Sequence, residues 1–437
     1  MTTIPDRQRS ARRRAWRVGF ITALCAALAV DGADARPGPD RPKAKARTDS
    51  GAGTAAAAPA PGSGPSPELR LIRIYQLIGA SQTREALEQA ETLVRDAPNF
   101  RLAHLVYADL LTARREPLAS FGAGAARVAN AGANGSAVAQ VEPLRMEAQL
   151  RLQALREAPP PGSVPRQFVA LPATTRHAIA VDASRSRLYL LEHRANGFEL
   201  VASYYVSLGR LGVDKRAEGD QRTPLGVYFV TSKLDGHRLT DFYGAGALPL
   251  NYPNEYDRRE GRTGGGIWLH GVSRDSYARE PRATDGCVVL ANEDLQLLLR
   301  GVEARRTPVV IAPKLDWVAP GQLEAQRRDV MDLLSAWRSA RAAADTSTLE
   351  RFYLPDANKG LVPVVAKLRG ARKPVAAKTV AEAEIKELSV LSWNDGRDVL
   401  VVTFGEVPAG ARTGHMVRQY WAREGSEWKI LFEGVIG

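Results

Sequence analysis

Cysteine and histidine are scarce in this chain, and their scarcity restricts the chemistry that it can carry. The 437 residues include two cysteines and six histidines. His104, His237 and His415 have no cysteine or carboxylate partner at the spacing of a metal site. His177 and His193 fall on predicted strands, where surface or core positions are the simpler interpretation. We therefore predict no metal and no other cofactor.

An apolar run of membrane-spanning length is also lacking. The apolar stretch at residues 18–30 follows six arginines and is thirteen residues long. This length is short for a transmembrane helix and typical of a signal-peptide core. Ala33-Asp34-Ala35 then supplies the small-x-small pattern that a signal peptidase cleaves. We predict a signal peptide over residues 1–35 and a periplasmic or cell-envelope location, with an uncleaved membrane anchor as the alternative.

Export would leave the mature chain with a single thiol. Cys25 lies in the predicted signal peptide, so Cys287 would have no partner for an internal disulfide. A lone thiol on an exported protein indicates a reactive cysteine or an intermolecular pairing. The alternative is a buried structural cysteine, which the neighbouring glycine and the export signal make the weaker interpretation.

The chain carries a net charge of +12 without the pattern of a nucleic-acid-binding protein. We find no basic helix and no basic stripe interleaved with aromatic residues, so no nucleic-acid partner is predicted. An anionic cell-envelope polymer or membrane surface fits the charge better, and a solvated basic surface is the default alternative.

The composition predicts a multidomain chain with three folded regions. Residues 36–66, rich in Pro, Ala, Gly and Ser, predict a disordered linker. Residues 67–160 have apolar stripes at helical spacing and resemble a tetratricopeptide-like region, which we interpret as a surface for an envelope protein or a homodimer. Short apolar runs joined by turns over residues 165–315 predict a mostly-β domain. Residues 320–437 combine a long amphipathic helix with strand-like runs, which is typical of an α+β domain.

The pattern that carries chemistry lies in the β-rich region. His270-Gly271 and a Thr-Asp-Gly-Cys run ending at Cys287 place a histidine and a cysteine seventeen positions apart, each at an end of an apolar run. Cysteine attacks as a thiolate, and a nearby imidazole is the usual base that generates one. Gly286 allows a tight turn whose backbone N–H groups, at Gly286 and Cys287, would point at a developing oxyanion. These parts suit acyl transfer through a thioester.

These motifs resemble the YkuD family of L,D-transpeptidases, whose signature is a His-Gly pair, a variable loop and Ser/Thr-His-Gly-Cys. Residues 223–226, Thr-Pro-Leu-Gly, also resemble that family's Thr-Pro-x-Gly element. The resemblance spans residues 170–313. It implies that Cys287 is the nucleophile, that His270 is its base and that Gly271 orients this base through its backbone.

One position departs from the family pattern, because Asp285 follows Thr284 where the family usually has histidine. A carboxylate cannot replace an imidazole base without a large pKa shift. We predict that Asp285 orients His270 or an arginine such as Arg282, or recognises a substrate amine, with capping of the turn as the alternative. Tyr243 is expected in a substrate-side loop.

The flanking regions refine the expected function. The C-terminal region resembles a nuclear-transport-factor-two-like cone, and its combination with an exported YkuD domain resembles the cell-shape-determining L,D-carboxypeptidases. The resemblance implies a peptidoglycan-modifying L,D-transpeptidase that acts on stem peptides through a cysteine thioacyl-enzyme. The alternatives are an L,D-carboxypeptidase that trims tetrapeptide stems and a non-catalytic peptidoglycan-binding scaffold of the envelope.

Overall fold

The computed structural model describes residues 65–124, 136–195, 197–343, 345–355, 357, 383–408 and 410–436. The chain divides into two compact units, one of residues 1–152 with 275–277 and one of residues 153–274 with 278–437. The predicted signal peptide and nearly all of the predicted linker lie outside the described residues. Within the described ranges, no helix has both the length and the apolarity of a membrane span.

The first unit is helical, as the apolar stripes predict. Ser66 caps its first helix by accepting a hydrogen bond from the backbone N–H of Leu69, and Pro67 occupies a first-turn position that needs no backbone donor. The buried guanidinium of Arg151 forms ion pairs with Glu68 and Glu147, which ties the last helix to the first. Among the described residues, this unit contains the helices α1 Pro67–Gly79, α2 Thr83–Asp96, α3 Arg101–Ala113 and α4 Ser136–Arg156.

The helices predicted within residues 67–113 are confirmed, whereas the tetratricopeptide type of this region stays a prediction.

A mostly-β domain occupies the centre of the chain, as predicted. The strands of its larger sheet are β3 His177–Asp182, β4 Arg187–Arg194, β5 Gly197–Tyr205, β7 Gly226–Phe229 and β13 Pro308–Ala312. Their order is β5-β4-β3-β13-β7, in which β3 and β13 are parallel and the other pairs are antiparallel. Strand β3 is buried along its whole length, because the sheet is covered on both faces.

A smaller sheet faces the larger one across an apolar core. Its strands are β8 Leu234–Asp235, β9 Gly246–Pro249, β10 Trp268–His270 and β12 Val288–Val289, in the order β12-β10-β9-β8. Strand β6 (Leu208–Gly209) pairs in parallel with β11 (Arg282–Thr284). Helices α5 (Glu255–Arg259) and α6 (Asn292–Gly301) complete the domain, and α6 contributes Leu295 and Leu298 to the core.

The C-terminal region, predicted as an α+β domain, is β-rich. It contributes four strands to one sheet: β15 Glu384–Asn394, β16 Asp398–Val407, β17 His415–Glu424 and β18 Glu427–Ile436. A fifth strand, β2 (Phe168–Ala170), lies within the residues 165–315 predicted for the central domain, but it precedes the sheets of that domain and pairs antiparallel with β15. The strand order is β18-β17-β16-β15-β2. Strands β1 (Val164–Pro165) and β14 (Trp317–Val318) also pair antiparallel.

The C-terminal sheet is covered on both faces. Helix α7 (Glu324–Ala342) packs Trp337 and its apolar neighbours against one face, followed by the short helix α8 (Thr346–Arg351). The other face packs against the larger sheet of the central domain through Val401, Tyr420 and Leu431. The central domain and the C-terminal sheet therefore share a continuous apolar core. The nuclear-transport-factor-two-like type of this region stays a prediction.

Candidate active site

The parallel pairing of β10 with β12 brings the predicted nucleophile and base to neighbouring strands. Leu269 pairs with Val288 and His270 pairs with Val289. Extending this register by one position sets Cys287 beside Trp268. Because alternate residues of a strand share a face, Trp268 and His270 project to the same side of the sheet as Cys287.

The imidazole and the thiol each contact a backbone carbonyl. His270 Nδ1 lies 2.7 Å from the carbonyl oxygen of Gly271, and Cys287 Sγ lies 3.5 Å from that of Gly266. No hydrogen bond joins His270 to Cys287 among the described residues. Since a carbonyl oxygen only accepts, Nδ1 carries the ring proton of neutral His270, and Nε2 is left as the basic nitrogen.

Burial keeps both groups neutral in this structure. It lowers the pKa of His270 to about 4, and the nearby charge of Arg279 acts in the same direction. Burial also raises the pKa of the Cys287 thiol. A hydrogen bond from the backbone of Trp268 and the positive charge of Arg279 oppose this shift without cancelling it. The pair is therefore a neutral thiol and a neutral imidazole at pH 7, and His270 is in the protonation state of a general base.

Aromatic rings enclose the His270 imidazole. The ring of Tyr243 lies 5.1 Å from the imidazole, edge-on, and 4.8 Å from the ring of Trp268. The ring of Phe242 lies 5.6 Å from the imidazole, and the guanidinium of Arg279 stacks 4.4 Å from the Phe242 ring. These contacts account for the burial that lowers the His270 pKa, and they place Tyr243 at the site.

Thr284 organises the turn that presents the cysteine. Its buried hydroxyl donates to the carbonyl of Cys287 at 2.7 Å and accepts the Gly286 N–H at 3.1 Å. Gly286 has φ +127°, and a Cβ there would lie 2.7 Å from the carbonyl oxygen of Arg222. The Gly286 N–H is thus committed to Thr284, contrary to its predicted availability for an oxyanion. The Cys287 N–H is the candidate donor that remains in this turn.

Asp285 points away from the predicted base. Its carboxylate is exposed and lies 3.7 Å from Arg210 Nη1 and 3.3 Å from Gln221 Nε2. The arginine it approaches is therefore Arg210 and not Arg282. Arg282 is exposed on β11 and makes no described side-chain contact with His270, Cys287 or Asp285.

The Asn292 side chain holds the loop that follows His270 in place through hydrogen bonds to two backbone segments. Its side-chain oxygen accepts the backbone N–H groups of Ala245 and Val272, and its amide donates to the Val272 carbonyl. A Cβ at Gly271 would lie 2.1 Å from that oxygen, which explains the glycine, and the Gly271 N–H donates to the carbonyl of Tyr243.

The sequence analysis missed Arg279, Phe242, Arg210 and Asn292 as site residues. Arg279 and Asn292 lie within the stretch that contains the motif, but no spacing rule separates them from neighbouring polar residues. In the described part of the chain, no cluster of three or more His, Cys, Asp or Glu side chains could hold a metal ion.

Comparison with known proteins finds a family match for the domain that contains this site. Residues 176–311 match the model of the YkuD family, the L,D-transpeptidase catalytic domain. A search of curated proteins finds no match.

Several solved structures resemble the chain. Bd1075 of Bdellovibrio bacteriovorus is 24% identical, with a TM-score of 0.52, over 62% of this chain and 98% of that chain. The helical cell shape determining protein Pgp2 of Campylobacter jejuni is 22% identical, with a TM-score of 0.46, over 59% of this chain and 91% of that chain. An L,D-transpeptidase of Mycobacterium smegmatis is 13% identical, with a TM-score of 0.20, over 31% and 58%.

The likeness to Bd1075 is one of fold, and it extends beyond the matched domain because it covers more of the chain. The family match itself covers the strands that carry the histidine and the cysteine. The part of the chain that is similar to the YkuD L,D-transpeptidase catalytic domain, residues 176–311, is therefore the part that places His270 and Cys287 on neighbouring parallel strands.

Proposed function

We propose that the chain is an exported cysteine enzyme that acts on peptidoglycan stem peptides as an L,D-transpeptidase. The observation that carries the proposal is the placement of Cys287 and His270 on one face of the β10–β12 pair, with Nε2 of a neutral His270 free to accept a proton. The periplasm or cell envelope is the proposed location. The helical and C-terminal regions are proposed to contact an envelope protein or a second copy of the chain.

The first half-reaction transfers an acyl group to the thiol. His270 Nε2 takes the proton of Cys287 Sγ as the sulfur attacks the carbonyl between the third stem residue and the terminal D-residue. The Cys287 N–H stabilises the developing oxyanion. The C–N bond then breaks, His270 returns the proton to the leaving amine, and a thioester remains. Because no hydrogen bond joins His270 and Cys287 beforehand, substrate binding has to turn the thiol toward Nε2.

The second half-reaction decides the product. A side-chain amine of another stem gives a crosslink, and water gives a trimmed tripeptide. L,D-carboxypeptidase activity is the second candidate, and Arg279 would serve both reactions, because the first half-reaction is common to them. Its guanidinium acts electrostatically on both Cys287 and His270 and would hold the terminal carboxylate of a tetrapeptide beside the thiol.

Incubation of the mature chain with a tetrapeptide muropeptide tests both candidates. Crosslinked dimers, detected by liquid chromatography and mass spectrometry, would identify a transpeptidase, and tripeptide alone a carboxypeptidase. The Cys287→Ala variant should give neither product. If the unchanged chain also gives neither product and a carbapenem does not label its thiol, the non-catalytic scaffold is favoured.

A further inference from the structure

A second cleft lies apart from the candidate active site, between the central domain and the face of the C-terminal sheet that packs against it. Its volume is about 650 Å³, and neither His270 nor Cys287 lines it. Both walls belong to the same compact unit. The lining that matters for binding consists of Phe229, Arg305, Arg306, Glu387, Thr403 and Arg418.

Arg418 is the unusual residue of this cleft. It lies on β17 opposite Thr403 of β16, and it is only 5% exposed. Its Nε donates to Thr403 Oγ1 at 3.0 Å, and its guanidinium carbon lies 3.3 Å from the centre of the Phe229 ring. Within the described residues, no carboxylate forms an ion pair with it. Burial lowers the pKa of Arg418 to about 10, so the group is still a cation at neutral pH.

A buried guanidinium without a carboxylate is rare, because buried charges are normally paired. The contacts with Phe229 and Thr403 compensate part of the burial. Thr403 contacts one edge of the planar guanidinium, and the Phe229 ring contacts one face of it. The guanidinium also hydrogen-bonds the side chain of Tyr420. Its remaining terminal N–H groups are the donors that could take a carboxylate in a bidentate arrangement.

The rim of the cleft adds positive charge. Arg305 and Arg306 are exposed on the loop between α6 and β13, and the Arg305 N–H donates to the carbonyl of Val230 at 2.6 Å. Glu387 also lines the cleft and forms no ion pair with Arg418 in the described structure. The lining therefore carries more positive than negative charge and would attract an anion.

The walls next to Arg418 favour an organic carboxylate over a bare inorganic anion. Met416, Ile436, Val230 and Phe229 provide apolar surface, and the volume suits a short peptide or a small acid. A guanidinium fork can hold either a carboxylate or a phosphate, so the apolar walls are what favour an organic acid over inorganic phosphate.

We propose that this cleft is a binding site for the carboxylate end of a short peptide, which Arg418 recognises as a bidentate partner while the apolar walls hold the adjacent side chain. The site is separate from the thiol chemistry and holds whether or not Cys287 is catalytic.

Isothermal titration calorimetry of the full chain with Cys287→Ala tests the proposal without turnover. The probe is N-acetyl-alanyl-alanine with a free carboxylate, compared with its C-terminal amide and with inorganic phosphate. We expect the free acid to bind and the amide to bind about tenfold more weakly or worse, because the charged pair is lost. Equal affinity for acid and amide, or binding of phosphate alone, would overturn the proposal.

Variants then locate the binding site. Arg418→Gln should weaken binding of the free acid about tenfold or more, and Arg418→Lys should weaken it less, because lysine keeps the charge and loses the fork. Arg328→Gln, an exposed change on α7 outside the cleft, is the matched control and should bind normally. Unchanged binding by Arg418→Gln would refute the assignment.

A peptide acid could instead bind at the candidate active site. Arg279→Gln distinguishes the two places, because this arginine lies beside Cys287 and is absent from the cleft lining. Affinity that falls with Arg279→Gln and not with Arg418→Gln would contradict the proposal. If circular dichroism shows that Arg418→Gln does not fold, the rim variant Arg306→Gln replaces it. That variant should weaken binding measurably, and normal binding by it would count against the cleft.

Discussion

At the scale of single residues, the burial of His270 controls the pH dependence of the proposed reaction. The lowered pKa, about 4, means that the imidazole is already a free base at pH 5. The acid limb of kcat/KM for tetrapeptide hydrolysis or crosslinking should therefore have an apparent pKa near 4, well below the 6.5 of an exposed histidine. A limb near 6.5 would contradict a buried neutral base, and so would activity that is independent of His270→Ala.

Arg279 tunes both members of the pair in the same direction. Its positive charge lowers the pKa of His270 and also that of the Cys287 thiol. In Arg279→Gln both pKa values should rise. The acid limb of kcat/KM would move to higher pH, and the midpoint of Cys287 alkylation by iodoacetamide would also move to higher pH. Arg282→Gln, on the exposed end of β11, is the control and should change neither, whereas equal shifts in both variants would indicate a general charge effect.

The Thr284 hydroxyl should contribute both to stability and to turnover, because it hydrogen-bonds two backbone groups of the turn that carries Cys287. It joins the Cys287 carbonyl to the Gly286 N–H, so Thr284→Val leaves two backbone groups of the turn without their partner. We expect a loss of unfolding free energy of about 1–3 kcal/mol by urea denaturation and a larger loss in kcat than in substrate affinity. Thr284→Ser keeps the hydroxyl and should retain most of both. Equal activity of the valine and serine variants would contradict this role.

At the scale of elements, a buried ion-pair chain joins helix α5 to the β15–β16 hairpin. Arg262 Nη1 lies 2.8 Å from Asp257 Oδ1, and the same guanidinium pairs with Asp395 of the hairpin. Close to this pair in both segments, Arg397 forms an ion pair with Glu260 at 2.6 Å. Because Asp257 is 1% exposed, burial raises its pKa, and only its partners keep it charged. This chain of pairs reinforces the apolar contact between the two domains.

Removal of Arg262 should therefore be costly. Arg262→Ala leaves the Asp257 carboxylate buried without a cation, and we expect a loss of about 3–5 kcal/mol of unfolding free energy. Arg258→Gln breaks the exposed pair with Glu255 on the same helix and should cost about 1 kcal/mol or less. Thermal or urea unfolding measures both. Similar losses for the two variants would show that the buried pair contributes no more to stability than an exposed pair does.

The same elements show what the sequence could and could not predict. Periodicity predicted the helices within residues 67–113, because each helix buries an apolar stripe at its own spacing. Periodicity could not predict β2, because Phe168–Ala170 is three residues long and its partner strand begins more than two hundred residues later. At the site, the motif indicated Cys287, His270 and the turn glycines. The contact of Asp285 with Arg210 depends on how β6 and β11 pair, which local sequence does not encode.

At the scale of the whole molecule, β2 and the shared core make the central domain and the C-terminal sheet structurally dependent on each other. Phe168 and Val169 are buried beneath different faces of the C-terminal sheet, although they precede the central domain in the chain. The larger sheet of the central domain buries Val227, Phe229 and Val310 against that sheet. Neither part could be removed without exposing a large apolar surface.

After cleavage of the segment that links the two domains, the two fragments should therefore stay associated under native conditions. A protease site inserted at Ala319-Pro320, which is exposed between β14 and α7, would separate β2 covalently from strands β15–β18. We expect the two pieces to co-elute in gel filtration after cleavage and to separate only in denaturant, because strand pairing, apolar burial and the Arg262 ion pairs remain. A site placed within residues 36–64 is the control, where cleavage should release the N-terminal peptide. Dissociation of the two large pieces in native buffer would mean that the domains hold together through the covalent link alone.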